Sequence, residues 1–447
     1  MAAELLIIGG GLAGCEAALR AAGAGVSVRL VDMKPARFSP AHASPLLGEL
    51  VCSNSLRSAD PASAVGLLKA EMAVLGSHFI EAARASAVPA GKALAVDRER
   101  FAARLDNAVS SHALISREAG RVEELPASGV SIVATGPLTD GPLAENIAKL
   151  AGGGSLHFYD AIAPIVMTDS VDMSRAFWQD RYAEPGVGDY LNCPLSREEF
   201  SAFYQALTTG EQVPLHDFES PRFFEGCLPI EVMAARGEKT LLFGPMKPVG
   251  LEDPRSGRRP FAVVQLRKED LGGRLMNLVG FQTKLTHAAQ LQAFRLIPAL
   301  AGAEFARLGS IHRNSFLDAP RALTPQLALR AAPQVFIAGQ LSGVEGYVES
   351  AASGLLCGLN AARLLSGEPL LTPPPTTALG GLITHLMNQE AKSFQPSNIN
   401  FGLLPPLAQR LPKKERGRAL ARRAFGDLLA WMAAQGLKPA EAPPLLA

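Results

Sequence analysis

Long apolar runs are missing from this 447-residue chain. The longest, Leu5 to Ile8 and Val130 to Ala134, fall far short of the roughly 18–20 residues that a bilayer-spanning helix needs. The first fourteen residues lack the basic start of a secretion signal, and Gly9, Gly10 and Gly11 interrupt the apolar stretch where such a signal would continue. Cysteine is also sparse. Five residues, at 15, 52, 193, 227 and 357, form no CxxC pair and leave an odd number. That excludes a disulfide framework or a zinc ribbon and points to the reducing cytosol. No His/Cys/Asp/Glu spacing suggests a metal. Nor does charge of one sign dominate: 43 Lys and Arg against 42 Asp and Glu leave +1, too weak a global field to attract nucleic acid except through a local patch.

Apolar residues make up 48% of the chain, which excludes wholesale disorder, and the length suggests two or three domains. Glu4 to Ile8 reads as a buried strand, Leu12 to Ala22 as a helix and Val26 to Val31 as a second strand. This βαβ opening implies a parallel sheet covered by helices. Strand-then-glycine recurs at Val130 to Ala134, before Gly136, and at Val335 to Ala338, before Gly339 and a helix over Ser350 to Leu365. Between them lies a segment of mixed character, with extended stretches expected at Thr240 to Phe243, Phe261 to Leu266 and Leu278 to Phe281. The expectation is an α/β chain: a discontinuous, Rossmann-like domain (1–160 and 325–447) with an inserted α+β domain (161–324). Residues 70 to 125 could pack on either body. A final amphipathic helix is expected near Arg418 to Gln435.

Gly9-x-Gly11-x-x-Gly14 follows a strand and opens a helix, the context that gives this weak pattern meaning. Its glycines allow the turn, the approach of a pyrophosphate and close helix packing, and the helix N-terminus then faces the anion. Asp32, at the end of the second strand, suits a ribose. The late return through Gly339, Gln340 and Gly343-Val344-Glu345-Gly346-Tyr347 favours FAD over a nicotinamide, so the discontinuous domain is expected to be a FAD-binding domain of the glutathione-reductase type and the inserted one a substrate domain. S-adenosylmethionine is disfavoured, because Ile7 and Ile8 stand where an acidic residue would be expected. No second GxGxxG offers NAD(P)H a domain of its own.

Several stretches together are similar to the bacterial folate- and FAD-dependent tRNA (uracil-5-)-methyltransferase family: Ile7 to Gly14, Val51-Cys52-Ser53-Asn54-Ser55-Leu56, Ala93 to Arg98, Asp189 to Pro194, Glu225-Gly226-Cys227-Leu228-Pro229, Gly244 to Leu251, Val279 to Thr283, His312-Arg313-Asn314 and Gly343 to Ala351. The resemblance spans nearly the whole chain. It implies transfer of a one-carbon unit from 5,10-methylenetetrahydrofolate to C5 of the T-loop uridine at tRNA position 54, with FAD reduced by NAD(P)H supplying electrons. It further implies that Cys227 adds to the uracil and Cys52 works beside the flavin. The cofactor set would be Gly9, Gly10, Gly11, Leu12, Ala13, Gly14, Asp32, Gly136, Gly339, Gln340, Glu345, Gly346 and Tyr347. The chain departs from common flavoprotein patterns at Gln340, where an Asp is frequent, and at Asp32, where a Glu is.

The chemistry asks for a thiolate, because a thiol with pKa about 8.5 needs positive charge or a helix N-terminus to ionise at neutral pH. Cys52 is expected to start a helix whose free N–H groups would serve. Read without the family, Cys52 and Cys227 are more readily buried apolar thiols than nucleophiles, and Cys15, Cys193 and Cys357 are assigned to packing. Tyr347, His312 and Arg313 are candidates for stacking or orienting flat rings, Glu345 and Glu349 for the flavin or pterin, and Lys247, Lys284 and His287 for folate or phosphate. Lys413, Lys414, Arg416, Arg418, Arg422 and Arg423, offset only by Glu415, are the candidate tRNA contacts, with Arg255, Arg258 and Arg259 as a smaller patch. Three alternatives stay open: a wobble-uridine enzyme that works with a GTPase, a flavin-bearing tRNA-folding protein and a small-molecule flavin oxidoreductase. A cytoplasmic enzyme with no obligate protein partner and no membrane association is expected.

Overall fold

The computed structural model describes residues 4–153, 156–184, 186–214, 228–388, 394–409 and 411–446. Its first sheet has six strands in the order Ala328–Leu329, Ala332–Ile337, Ser131–Val133, Glu4–Ile8, Ser27–Asp32 and Ile115–Ala119, all parallel except the first. The inner strands Glu4–Ile8 and Ser131–Val133 are buried almost throughout because helices cover both faces, whereas the edge strand Ile115–Ala119 is largely exposed. The helix Leu12–Gly23 is enclosed on nearly every side, and Leu5, Ile7, Ile132, Phe336 and Ile337 are fully buried. Each such side chain is worth about 1.5–3 kcal/mol of transfer free energy.

A second sheet has six antiparallel strands, in the order Phe177–Trp178, Tyr190–Leu195, Ala262–Lys268, Leu275–Leu278, Ile165–Met167 and Phe305–Arg307. It builds a separate core with Phe200, Phe203, Phe281 and Phe294. An antiparallel ribbon of Leu156–Ile162 and Ser310–Phe316 carries the chain out to this lobe and back. Residues 70 to 125 join the first core, through Met72, Phe79, Phe101 and Leu105.

Three local expectations are corrected. Residues Glu238–Phe243 form a helix, not an extended stretch: Leu241 points into the second core while Phe243 stands 77% exposed, a spacing that a two-residue period could not separate. The strand expected over Leu278 to Phe281 is Leu275–Leu278, ended by Gly280 at φ +78°. Cys52 starts no helix; it lies in a loop before the strand Ser55–Ser58. Asn54, a natural helix cap, instead sends its amide across to the carbonyls of Val96 (3.0 Å) and Lys268 (2.9 Å).

The late helix Tyr347–Leu365 crosses Leu12–Gly23 at small residues. A Cβ on Gly354 would stand 2.2 Å from the Ala13 carbonyl oxygen, and one on Gly358 2.5 Å from that of Ala17. Hydrogen there lets two backbones meet where any side chain would separate them.

Buried acids tie the helices together. Both oxygens of Glu71 accept N–H groups at the start of the helix Ala378–Leu386, from Ala378 (2.7 Å) and Leu379 (2.9 Å). Burial pushes its pKa up to about 8 against those bonds. From pH 4.5 to about 8 the folded chain therefore holds a proton that the unfolded chain has released, and stability falls as pH rises through this window. Glu71→Gln is expected to flatten that fall in a series of thermal melts; an unchanged pH profile would show that Glu71 is already ionised in the folded state.

Candidate active site and dinucleotide cleft

A cleft with an empty volume of about 1440 Å³, partly open to solvent, runs along the ends of the parallel strands. Gly9, Gly11, Leu12, Ala13, Asp32 and Gly136 line one stretch of it; Cys52, Gly339, Gln340 and Tyr347 line another. The three motif glycines differ in their surroundings. Gly9 takes φ +103°, and a Cβ there would stand 2.5 Å from the Ala134 carbonyl oxygen. A Cβ on Gly14 would be 1.8 Å from the Gly9 oxygen, whereas around Gly11 nothing lies within 4 Å. Gly11 caps the helix without a side-chain oxygen, so the first-turn N–H groups are left for an anion.

Asp32 is 9% exposed and accepts the N–H groups of Gly10 (2.6 Å) on one oxygen and Lys34 (2.8 Å) on the other. Each oxygen keeps a second lone pair that could accept from a ribose hydroxyl. Gly10 therefore acts through Asp32 rather than on the cleft. Gly339 takes φ +76° and donates its N–H to Ser353 Oγ (2.8 Å). Gln340 donates to the buried Glu345 carboxylate (2.7 Å), which places an amide, not a charge, at the cleft wall. Gly346, at φ +107°, caps the Tyr347–Leu365 helix. These residues fit a dinucleotide: an open glycine at the pyrophosphate turn, a carboxylate at the ribose end and a second helix start at the far end.

Cys52 is half-buried in the cleft wall. The Tyr347 hydroxyl sits 2.9 Å from its Sγ and accepts the backbone N–H groups of Cys52 (2.6 Å) and Ser53 (3.3 Å). Burial first, and the neighbouring sulfur second, hold the Tyr347 phenol well above its ordinary pKa; it is a neutral donor to sulfur. Sequence reasoning proposed this pair of segments without the contact between them, which spans 295 positions.

Three arginines fix the Cys52 loop, and none was assigned from the sequence. Arg98, at the start of the helix Arg98–Ser110, donates to Leu50 O (3.0 Å) and Cys52 O (3.1 Å) and pairs with Glu269 of the second lobe at 2.6 Å. Glu269, Tyr347 and Cys52 together outweigh its burial and raise its pKa. Arg307 reaches Val51 O (3.0 Å) and Cys52 O (3.3 Å) from the second lobe. Arg267, also from that lobe, donates to Asn54 Oδ1 (2.8 Å) and Ser53 Oγ (3.1 Å). Arg98 was visible as a motif letter; Arg267 and Arg307 carry no local signal, because only the meeting of the lobes gives them a role.

Cys15, Cys193 and Cys357 are fully buried, and burial raises all three thiols, Cys193 to about 12. Cys227 lies outside the described residues, as do the side chains of His312, Arg313 and Lys413; the neighbouring Asn314 lines the cleft. Glu349 is fully buried and ion-paired with Arg57, so it braces the late helix. Lys247, Lys284 and His287 do not line the cleft; the Lys284 N–H is held by Glu231 at 2.7 Å. Lys414, Arg416, Arg418 and Arg422 are exposed on the helix Lys413–Ala434, while Arg423 ties down the carbonyls of Pro405 (2.6 Å) and Pro406 (2.9 Å). Arg258 and Arg259 are exposed; Arg255 chelates Asp253, with Nη2 at 2.7 Å. Among the described residues no cluster could hold a metal, and no helix is long and apolar enough to cross a membrane.

A discontinuous parallel-sheet domain with a glycine-turn cleft, interrupted by an antiparallel lobe that reaches back to a cleft cysteine, defines the class: a two-lobed dinucleotide-binding protein. Residues 4–369 match the family model described as Glucose inhibited division protein A. The chain is 57% identical over 429 residues to a methylenetetrahydrofolate--tRNA-(uracil-5-)-methyltransferase TrmFO of Geotalea uraniireducens, covering 96% of this chain and 98% of the relative. It is 54% identical over 433 residues to the protein of the same name in Geobacter sulfurreducens, covering 97% and 100%. The chain thus belongs to the Glucose inhibited division protein A family and, within it, to the TrmFO group of folate-dependent tRNA (uracil-5-)-methyltransferases. Aquifex aeolicus GidA has the same fold, with a TM-score of 0.70 at 16% identity over 97% of this chain and 73% of that one.

Asn54→Ala would leave the buried Arg267 guanidinium short of its main acceptor, a loss of about 1–3 kcal/mol. The expected outcome is a melting point lower by a few degrees and faster alkylation of Cys52 by iodoacetamide, followed on the Cys52 peptide; protection equal to wild type would show that the loop does not depend on the Asn54 side chain.

Proposed function

We propose that this chain is the folate-dependent methyltransferase that forms 5-methyluridine at position 54 in the T loop of tRNA. The observation that carries this reading is the Cys52 thiol, set in the wall of the dinucleotide cleft, hydrogen-bonded to Tyr347 and held by arginines from both lobes. FAD is the dinucleotide that the cleft holds, with 5,10-methylenetetrahydrofolate as carbon donor and NAD(P)H as reductant. Reduced FAD supplies the electrons that convert a transferred methylene into a methyl group.

Uracil C5 is a weak nucleophile until a thiolate adds at C6 and pushes charge toward O4 and C5. Cys227 takes that role on the strength of family resemblance. Cys52 works at the cleft wall, where the neutral Tyr347 hydroxyl keeps a proton beside its sulfur and Arg98 and Arg307 pin its carbonyl. Gly9 to Gly14, Asp32, Gly136, Gly339, Gln340, Glu345, Gly346 and Tyr347 hold and orient the cofactor, directly or through one another. The inserted segment 161–324 forms the substrate domain, and the enzyme works in the cytoplasm.

The basic helix supports an RNA partner on electrostatic grounds. Lys413, Lys414 and Arg416 lie in the first turn, where the positive end of the helix dipole makes cations unfavourable. A phosphate backbone offsets that repulsion, and Lys414, Arg418 and Arg422 share one exposed face for it. Extraction of a stacked uridine costs on the order of a few kcal/mol, which phosphate contacts must offset.

Incubation with unmodified tRNA, labelled methylene-folate and NADH, followed by digestion of the RNA, is expected to place label at the T-loop uridine; label at the wobble position, or none, would overturn the reading. Cys227→Ala is expected to abolish the covalent complex with 5-fluorouracil-containing tRNA, and an undiminished complex would remove Cys227 from that role. A Lys414→Ala/Arg418→Ala double variant is expected to flatten the fall of tRNA affinity with salt by roughly two counterions; a slope equal to wild type would place the RNA elsewhere.

A further inference from the structure

Tyr182, on the second lobe, is a large side chain that neither the cofactor cleft nor the core explains. It is 77% exposed, yet its backbone sits at φ +68°, a left-handed conformation that is uncommon for a bulky residue. An exposed ring gains no burial to offset that strain. The loop around it is firmly pinned. The Tyr182 N–H donates to Gly250 O at 2.7 Å. Arg181 donates to Lys247 O (2.7 Å), Val249 O (2.9 Å) and Gln265 Oε1 (3.0 Å). Gln179 donates to Ala183 O (2.6 Å) and accepts from the Glu252 N–H (2.9 Å).

The ring lies flat on a glycine. A Cβ on Gly250, itself at φ +82°, would stand 2.9–3.1 Å from three ring atoms of Tyr182. One face is thus seated on backbone and the other is open. A strained residue on a rigid loop with a bare aromatic face is a preorganised stacking surface, and strain of this kind gathers at functional sites.

Its position suits the same RNA that reaches Cys52. Gln265, which receives Arg181, and Arg267, which holds Asn54 beside Cys52, are two residues apart on one strand and share one face. That spacing is about 7 Å. Around it Glu184 and Glu252 are exposed, and Val187 of the same loop is 59% exposed. One ring beside a single aliphatic side chain and two carboxylates is too small for a protein interface, which needs a contiguous apolar patch, and is of a size to take one unstacked base.

The geometry points to Tyr182 as a stacking platform for an unpaired nucleobase of the RNA substrate. This rests on the tRNA-modifying function proposed above. Because the contact is made by a ring and not a charge, it adds to affinity without adding to salt dependence.

The test uses the holoenzyme with unmodified tRNA, reading steady-state methylation and, separately, tRNA binding by fluorescence anisotropy. Tyr182→Ala is expected to raise the tRNA KM and Kd roughly tenfold or more, with the salt slope, the flavin content and the methylene-folate KM unchanged. Tyr182→Phe and Tyr182→Trp should bind as wild type. Tyr182→Gly, which accepts φ +68° without strain, should hold or raise the melting temperature while losing tRNA affinity. Wild-type affinity in the Ala variant, an equal loss in the Phe variant, or a change in oligomeric state with tRNA binding intact would each overturn the assignment, the last in favour of a second copy of the chain. Failure of the wild-type enzyme to label tRNA would instead overturn the function on which the assignment rests.

Discussion

The crossing of Leu12–Gly23 with Tyr347–Leu365 is the contact on which the cleft depends. Gly354 and Gly358 let the late helix lie against the carbonyls of Ala13 and Ala17, so segments more than three hundred residues apart open the same cleft. A side chain at either glycine would push the late helix outward. Gly339, Gln340 and Tyr347 would move with it, since Gly339 is bonded to Ser353 on that helix. The glycine turn alone offers an anion site; the crossing turns it into a site with two ends.

The second constraint is electrostatic and lies between the lobes. Arg98, Glu269, Arg267 and Asn54 are each buried or nearly so, and buried ionic groups are tolerated only when paired and hydrogen-bonded. Their partners come from both lobes, so the Cys52 loop keeps its shape only while the lobes are docked. Tyr347 adds a third tether from the late helix. The thiol thus sits where three distant parts of the chain meet: the helix Arg98–Ser110, the late helix and the second lobe.

Much of this was legible beforehand because it is local. The strand, glycine turn and helix from Glu4 to Gly23 follow from an apolar run, three glycines and an Ala-rich stretch, and Asp32 follows from the end of the next strand. Helix and strand were exchanged at Glu238–Phe243, where six residues are too few for either period to declare itself. The helix expected at Cys52 failed for another reason: Asn54 and the serines look like caps, but the second lobe claims Asn54 as an acceptor and donor. Arg423 reads as one more cation of a basic face until the carbonyls of Pro405 and Pro406 appear beside it.

Read alone, the order of residues determined the glycine turn, the parallel sheet and the family, since these rest on spacing within a few residues or on motifs quoted whole. Only the tertiary structure decided that Tyr347 touches Cys52, that Arg267 and Arg307 hold its loop, and that Tyr182 lies bare on Gly250. The physical reason is that these are contacts between segments far apart in the chain. A side chain's partners across the fold are set by how two cores pack against each other, and nothing in its own neighbourhood of sequence encodes that.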